Sequence, residues 1–267
     1  MTAPDWGTAA LVVAHPGHEL RVHHWLETVR PTVFVLTDGS GHGDTGRLAS
    51  TTRVLEGTGA TAGSIFGRLT DRAAYAWILE RRVDAVQALA LELADQLEGL
   101  AVDTVVSDAI EGFNPVHDLC FVIAEGAARI AAQRSGRPIR HFDFPLEAAP
   151  TAPMGEGEPI HIPLDETALA RKMAAARNYG ELRDEVDRAT EAHGHDAFRA
   201  EVLWPAGALG DLAHRVGDPP FYETHGERRV AEGVYAQVLR FQEHFLPIAE
   251  AIRQPVTEAA KGGSSRA

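Results

Sequence analysis

The chain has 267 residues, enough to bury a full core in one large α/β domain. Its hydrophobic and charged fractions, 45% and 24%, are ordinary for a soluble globular protein. Thirty-eight acidic against 25 basic side chains give a formal net charge of −13, which disfavours a general nucleic-acid or anionic-membrane surface. Cys120 is the single cysteine, so an internal disulfide and a thiolate metal cage are excluded; a transition-metal site must draw on the thirteen histidines and the carboxylates.

In chain order, no basic segment precedes the first apolar stretch, and no run reaches the roughly eighteen apolar residues of a membrane span. A cytoplasmic protein with neither membrane nor nucleic-acid partners is expected. Ala9 to Ala14 (AALVVA) reads as a buried parallel strand because polar alternation is absent. His18 to Val29 has helical apolar spacing and is closed by Pro31. Thr32 to Leu36 is a β-branched and aromatic strand, followed by a glycine-rich loop from Thr37 to Gly46 and a helix from Arg47 to Glu56. Ile65-Phe66 marks a minor third strand, and Arg72 to Leu97 reads as one long helix without Gly or Pro. Val102 to Val106 is the next strand, then a loop from Ser107 to Pro115, a helix from Val116 to Gln133, and a strand from Ile139 to Phe144.

The second half is less regular. Pro145 to Pro163 holds five prolines and reads as a loop or edge excursion. Leu164 to Arg188 is an amphipathic helical stretch broken near Asn178-Tyr179-Gly180. A last helix is expected from Glu227 to Ile252, packing on the sheet domain or on a second subunit, which leaves homo-oligomerisation open. Strand–helix alternation argues for a mainly parallel sheet covered on both faces. The division expected is an α/β metal-binding domain over 1–190, a C-terminal helical extension over 191–259 and a disordered tail over 260–267.

Ligands of open α/β sheets bind outside the carboxyl ends of the strands. Two histidine-bearing loops fall at such ends: His15-Pro16-Gly17-His18-Glu19 after the first strand, and Asn114-Pro115-Val116-His117 after the strand at Val102. If those strands are neighbours, the three imidazoles of His15, His18 and His117 can converge. Three protein ligands with one open position is the arrangement of catalytic zinc, although nitrogen ligation also suits iron, cobalt, nickel or copper. The loop at Thr37 lacks a Gly-Lys-Ser/Thr ending, and no Gly-x-Ser-x-Gly elbow is present, so P-loop and serine-hydrolase chemistry are rejected.

These features resemble the PIG-L/LmbE-like zinc deacetylases. His15 to Glu19, following Ala14, resembles the family's Ala-His-Pro-Asp-Asp-Glu; Asn114 to His117 resembles its His-Pro-Asp-His. Thr37-Asp38-Gly39 matches a Thr-x-Gly loop, and Ile160 to Tyr179 resembles a downstream strand and Lys-bearing helix. The similarity spans roughly Ala9 to Tyr179. It implies a Rossmann-like fold with a C-terminal helical extension, one Zn2+, and removal of an acyl group from an N-acylated amine of a sugar or natural-product intermediate. By position, His15, His18 and His117 would be the ligands, with His18 replacing an aspartate. Glu19 matches the family's glutamate and is expected to support the loop.

Two departures stand out. Gly17 occupies the position of the aspartate taken as general base, and Asn114 that of the histidine that assists the tetrahedral intermediate. Loss of a positioned base typically removes roughly 10²–10⁴-fold in rate. Asp38 or Glu111 is the expected substitute base, with Asp108 also in reach, and Asn114 is the expected oxyanion donor. Arg68 and Asp71 are expected substrate contacts, and His42 is placed in a mobile lid. Two rival readings keep the fold: the metal used in a non-hydrolytic reaction, or a metal-binding or scaffold protein without deacetylase chemistry.

Overall fold

The computed structural model describes residues 4–41, 45–154, 156–207 and 212–254. His42 and the tail over 260–267 lie outside the described residues. Strands β1 (Ala9–Val13), β2 (Thr32–Thr37), β3 (Thr61–Leu69), β4 (Thr104–Asp108) and β5 (Arg140–Phe144) run parallel. β6 (Ile160–Pro163) and β7 (Ala200–Pro205) complete one seven-stranded sheet in the order β3-β2-β1-β4-β5-β7-β6, with β7 antiparallel to both of its neighbours.

All five residues of β1 are buried, because alternate side chains enter two different cores. Ala10 and Val12 join Phe34 and Leu36 under α3 (Asp71–Leu79), α4 (Val83–Gly99), α5 (Pro115–Ser135) and α10 (Leu246–Arg253). Leu11 and Val13 join Val33 and Val35 under Trp25 and Leu26 of α1 (His23–Val29) and Leu55 of α2 (Leu48–Thr58). The mainly parallel sheet with helices on both faces is therefore observed. Among the described residues no helix is long and apolar enough to cross a membrane.

Several element boundaries differ from expectation. The segment after β1 begins as a 3-10 turn over His18–Val22 before α1. The helix expected from Arg72 to Leu97 is two helices, broken at Glu80 to Arg82, where Arg81 takes a positive φ of 53°. The minor strand at Ile65 is the nine-residue β3. The break expected near Tyr179 is observed between α6 (Glu166–Asn178) and α7 (Arg183–His193). The C-terminal part is not a purely helical extension, since it donates β7 to the sheet interior. The last helix is divided into α9 (Phe221–Ala231) and α10, which follow α8 (Leu212–Val216), and α10 packs on the α4–α5 face of this same domain.

Candidate metal centre and cavity

β1 and β4 pair in parallel, Ala9 opposite Thr104 through Val12 opposite Ser107. Connections run outward from β1 to β2 and β3 on one side and from β4 to β5 on the other. The two histidine loops thus leave adjacent strands at the reversal of strand order, where a crevice opens. His15 follows β1. Gly17, with φ of 107°, turns the chain into the 3-10 turn that His18 opens. His117 sits in the first turn of α5, whose N-terminus is capped by Asn114: its Oδ1 accepts from Val116 N–H at 2.9 Å, and Pro115 takes the first helical position.

The three rings converge. Their centroids lie 5.2 Å (His15–His18), 5.0 Å (His15–His117) and 4.6 Å (His18–His117) apart. Imidazoles bound tetrahedrally at ~2.0–2.1 Å have ring centres about 5 Å apart, so the spacing suits a single ion. Two rings are held by their outer nitrogens. His15 Nδ1 meets Thr37 Oγ1 at 2.7 Å and Asp71 Oδ1 at 2.9 Å, and His18 Nδ1 meets Asp108 Oδ2 at 2.8 Å. Carboxylates on Nδ1 favour the tautomer that leaves Nε2 unprotonated. Among the described residues no group of three or more His, Cys, Asp or Glu side chains is arranged to hold a metal ion as it stands. The fit is one of spacing and ligand chemistry, not of a completed coordination shell.

Electrostatics favour the neutral form of two of the rings. Burial, and then the neighbouring rings, push His18 and His117 well below the usual histidine range, so both are neutral at pH 7. Burial raises Asp108 to about 7, against the opposing effect of the Ala14 N–H that donates to it at 2.8 Å. Burial likewise raises Glu19 to about 7. The Glu19 carboxylate accepts from Gly17 N–H at 2.6 Å and braces the loop, as expected.

The expected substitute bases are placed elsewhere. Asp38 Oδ1 accepts from Ser40 N–H at 2.9 Å, the role of a turn residue, and Asp38 does not line the cavity. Glu111 accepts from the backbone N–H groups of Leu146, Glu147 and Ala148 and ties that loop down instead of facing the rings. Arg68 points outward and pairs with Glu92 at 2.8 Å. Asp71 does line the cavity, but its first partner is His15, and its other oxygen accepts from Gly41 N–H. Asp71 and Thr37 as supports of His15 were not foreseen. Only the position of each at a strand end hinted at them.

A cavity of about 1630 Å³ opens over the rings. Its lining includes Met173, Leu182 and Val186 of the α6–α7 region, the rings of Phe113, Phe221 and Tyr235, and Asn114 with Tyr75, whose hydroxyl donates to Asn114 Oδ1 at 3.4 Å.

No family model matches the sequence, and no curated protein is significantly similar to it. Solved structures do match. A deacetylase triple mutant of the teicoplanin biosynthetic pathway aligns with a TM-score of 0.52 at 16% identity, over 74% of this chain and 97% of that one. The A40926 pseudoaglycone deacetylase Dbv21 aligns with a TM-score of 0.51 at 19% identity, over 75% and 97%. A zinc-inhibited form of the teicoplanin deacetylase Orf2 aligns with a TM-score of 0.51 at 14% identity, over 74% and 97%. The chain thus carries the α/β fold of the PIG-L/LmbE-type deacetylases that its sequence motifs resemble.

Proposed function

We propose that His15, His18 and His117 hold one divalent metal ion, zinc by preference, and that the cavity above them admits an acylated amine of a sugar or natural-product intermediate for hydrolysis of its N-acyl bond. The observation that carries this is the meeting of three imidazoles at 4.6–5.2 Å, two of them held through Nδ1, at the reversal of strand order. The structurally similar proteins that deacetylate A40926 pseudoaglycone and teicoplanin intermediates support the choice of reaction.

The chemistry such an ion contributes is Lewis acidity, the polarisation of an acyl oxygen and the acidification of a water. The remaining tasks fall to the chain. Asp71 and Asp108 keep the Nε2 edges of His15 and His18 aimed inward. Asn114, whose Oδ1 is used by the helix cap, has its amide N–H group to donate to the developing oxyanion. With Asp38 and Glu111 engaged elsewhere, proton removal from water falls to solvent or to the substrate's own groups. Turnover is therefore expected to be slow by roughly 10²–10⁴-fold relative to a site with a positioned base.

That same engagement favours a second reading, in which the metal pocket serves a non-hydrolytic reaction of the acylated amine. One experiment separates the two. Metal-loaded protein is incubated with a panel of N-acetylated amino sugars and aryl amines, and acetate release is compared with a His15→Ala/His117→Ala double variant. Release that depends on the histidines supports hydrolysis. Stoichiometric metal without acetate release supports the second reading, and protein that takes up no metal sinks both.

A further inference from the structure

Among the described residues four large apolar side chains are exposed: Leu100, Phe113, Phe221 and Val234. Three of them, Phe113, Phe221 and Val234, line the cavity that reaches the histidines. Isolated exposed apolar residues need no explanation, but their concentration inside a cavity marks a surface for a ligand.

The aromatic rings of this lining form a continuous wall. Phe113 and Phe221 stack with centroids 4.5 Å apart and planes within 2° of each other. His225 continues from Phe221 at 5.7 Å, and Tyr235 from His225 at 6.3 Å. The stack is fixed from behind. Gly112, with φ of 66°, brings its backbone so close to Val216 O that an added Cβ would stand 2.0 Å from it, and Gly112 O accepts from Tyr222 N–H of α9 at 3.4 Å. Phe113 is therefore locked to the helix that carries Phe221. It also precedes Asn114, which caps the helix bearing His117. The stack and the metal centre share one rigid turn.

We infer that this wall is a stacking subsite for a planar aromatic ring on the portion of the substrate that projects away from the reacting bond. Parallel, partly exposed rings offer a third flat ring an offset stack, whereas a saturated or branched group gains only area. The inference rests on the cavity being the site of an acylated amine, and it names the substrate class as aryl-bearing.

The test uses N-acetyl-2-naphthylamine and its fully saturated counterpart, N-acetyldecahydro-2-naphthylamine, which carry the same amide on a flat and a puckered bicycle. Binding to the intact, metal-loaded protein is measured by calorimetry, and acetate release by a coupled assay. The expected result is at least about tenfold tighter binding of the naphthyl compound. That preference should be abolished by Phe221→Ala, retained by Phe221→Trp, and retained in the His15→Ala/His117→Ala variant. Phe221 is 45% exposed, so Phe221→Ala should fold normally, which a thermal melt checks. Equal affinity for the two compounds, no measurable binding of the naphthyl one, or a Phe221→Ala protein that keeps the preference would overturn the subsite. Preferential binding without acetate release leaves the subsite standing while the hydrolytic reading fails. Release from both compounds without preference does the reverse.

Discussion

A Cβ built on Gly17 would stand 2.1 Å from Cδ1 of Leu182, so a side chain at position 17 requires the end of Leu182 to move. Leu182 ends the 3-10 turn Gly180–Leu182 and packs beside Leu20, Ala176 and Tyr179. Gly17 is the position at which the resemblance calls for an aspartate. Its loss is thus built into the packing of the α6–α7 region, and Leu182 lies where that carboxylate would project.

Restoring the carboxylate alone is therefore expected to fail. Gly17→Asp meets both the clash and a backbone at φ of 107°, a strained conformation for a residue with a Cβ. It should lower stability by roughly 1–3 kcal/mol and leave acetate release unimproved. Leu182→Ala combined with Gly17→Asp should recover part of that stability and give higher turnover than either single variant. Urea unfolding together with the coupled assay reads both effects. A Gly17→Asp protein as stable as the parent would show that the contact with Leu182 is not limiting.

Asp108 offers a test of the proposed metal centre that leaves the imidazoles untouched. Its buried carboxylate meets His18 Nδ1 at 2.8 Å and accepts from Ala14 N–H. Asp108→Asn keeps the shape but weakens the hold on the ring and the basicity of Nε2, so zinc affinity should fall by about 10–100-fold. Competition with a chromophoric chelator measures it. His18→Ala should lose more, and an Asp108→Asn protein with undiminished affinity would remove Asp108 from the support of the site.

How much of this was legible in the sequence depends on whether a signal is local. AALVV and TVFVL announced β1 and β2, and the histidines after β1 and at the start of α5 announced the crevice, because strand-end segments carry their chemistry in consecutive residues. β3 was hidden by Gly63 and Gly67. The first lets the strand close on the Phe34 ring, where a Cβ would meet it at 2.3 Å, and the second takes a φ of 71° at an irregular register. The break at Arg81 carries no Gly or Pro, and β7 was masked by a charged residue in its interior, Glu201. The backbone partners of Asp38 and Glu111 were not legible for a related reason. Residue type and strand-end position say that a carboxylate is near the site, but not which backbone N–H groups claim it first.

The masking residue of β7 has a partner that explains it. Lys172 of α6 donates to Glu201 at 2.8 Å and to Arg21 O at 2.5 Å, while Glu201 also accepts from the N–H groups of His24 and Trp25 at 2.8 Å each. Both side chains are buried, so the pair ties α6 to β7 and to the start of α1. Lys172→Met strands a buried carboxylate and should cost about 3–5 kcal/mol, whereas Lys172→Met with Glu201→Gln should regain a substantial part. Chemical denaturation of the two variants decides this; equal losses would mean that shape, not charge, is what Lys172 contributes.

His141 makes the sign of an acid dependence testable. Burial, and then the nearby Arg215, lower it to about 3, and its Nε2 meets Ser107 Oγ at 2.9 Å. In the unfolded chain the ring protonates near its ordinary value of about 6.5. Between those values the unfolded state binds the extra proton, so this group withdraws stability as pH falls, by about 1.4 kcal/mol per unit. Asp143, raised to about 6 by burial, acts in the opposite direction over part of that range, but it is present in parent and variant alike. The informative quantity is therefore a difference. Relative to His141→Gln, the parent should lose stability progressively from pH 6 to pH 4, and denaturant midpoints at half-unit steps would reveal it. If the two proteins track each other through that interval, His141 is charged in the folded state, and the packing of Ser107, His141 and Arg215 behind the β4–β5 pair must be redrawn.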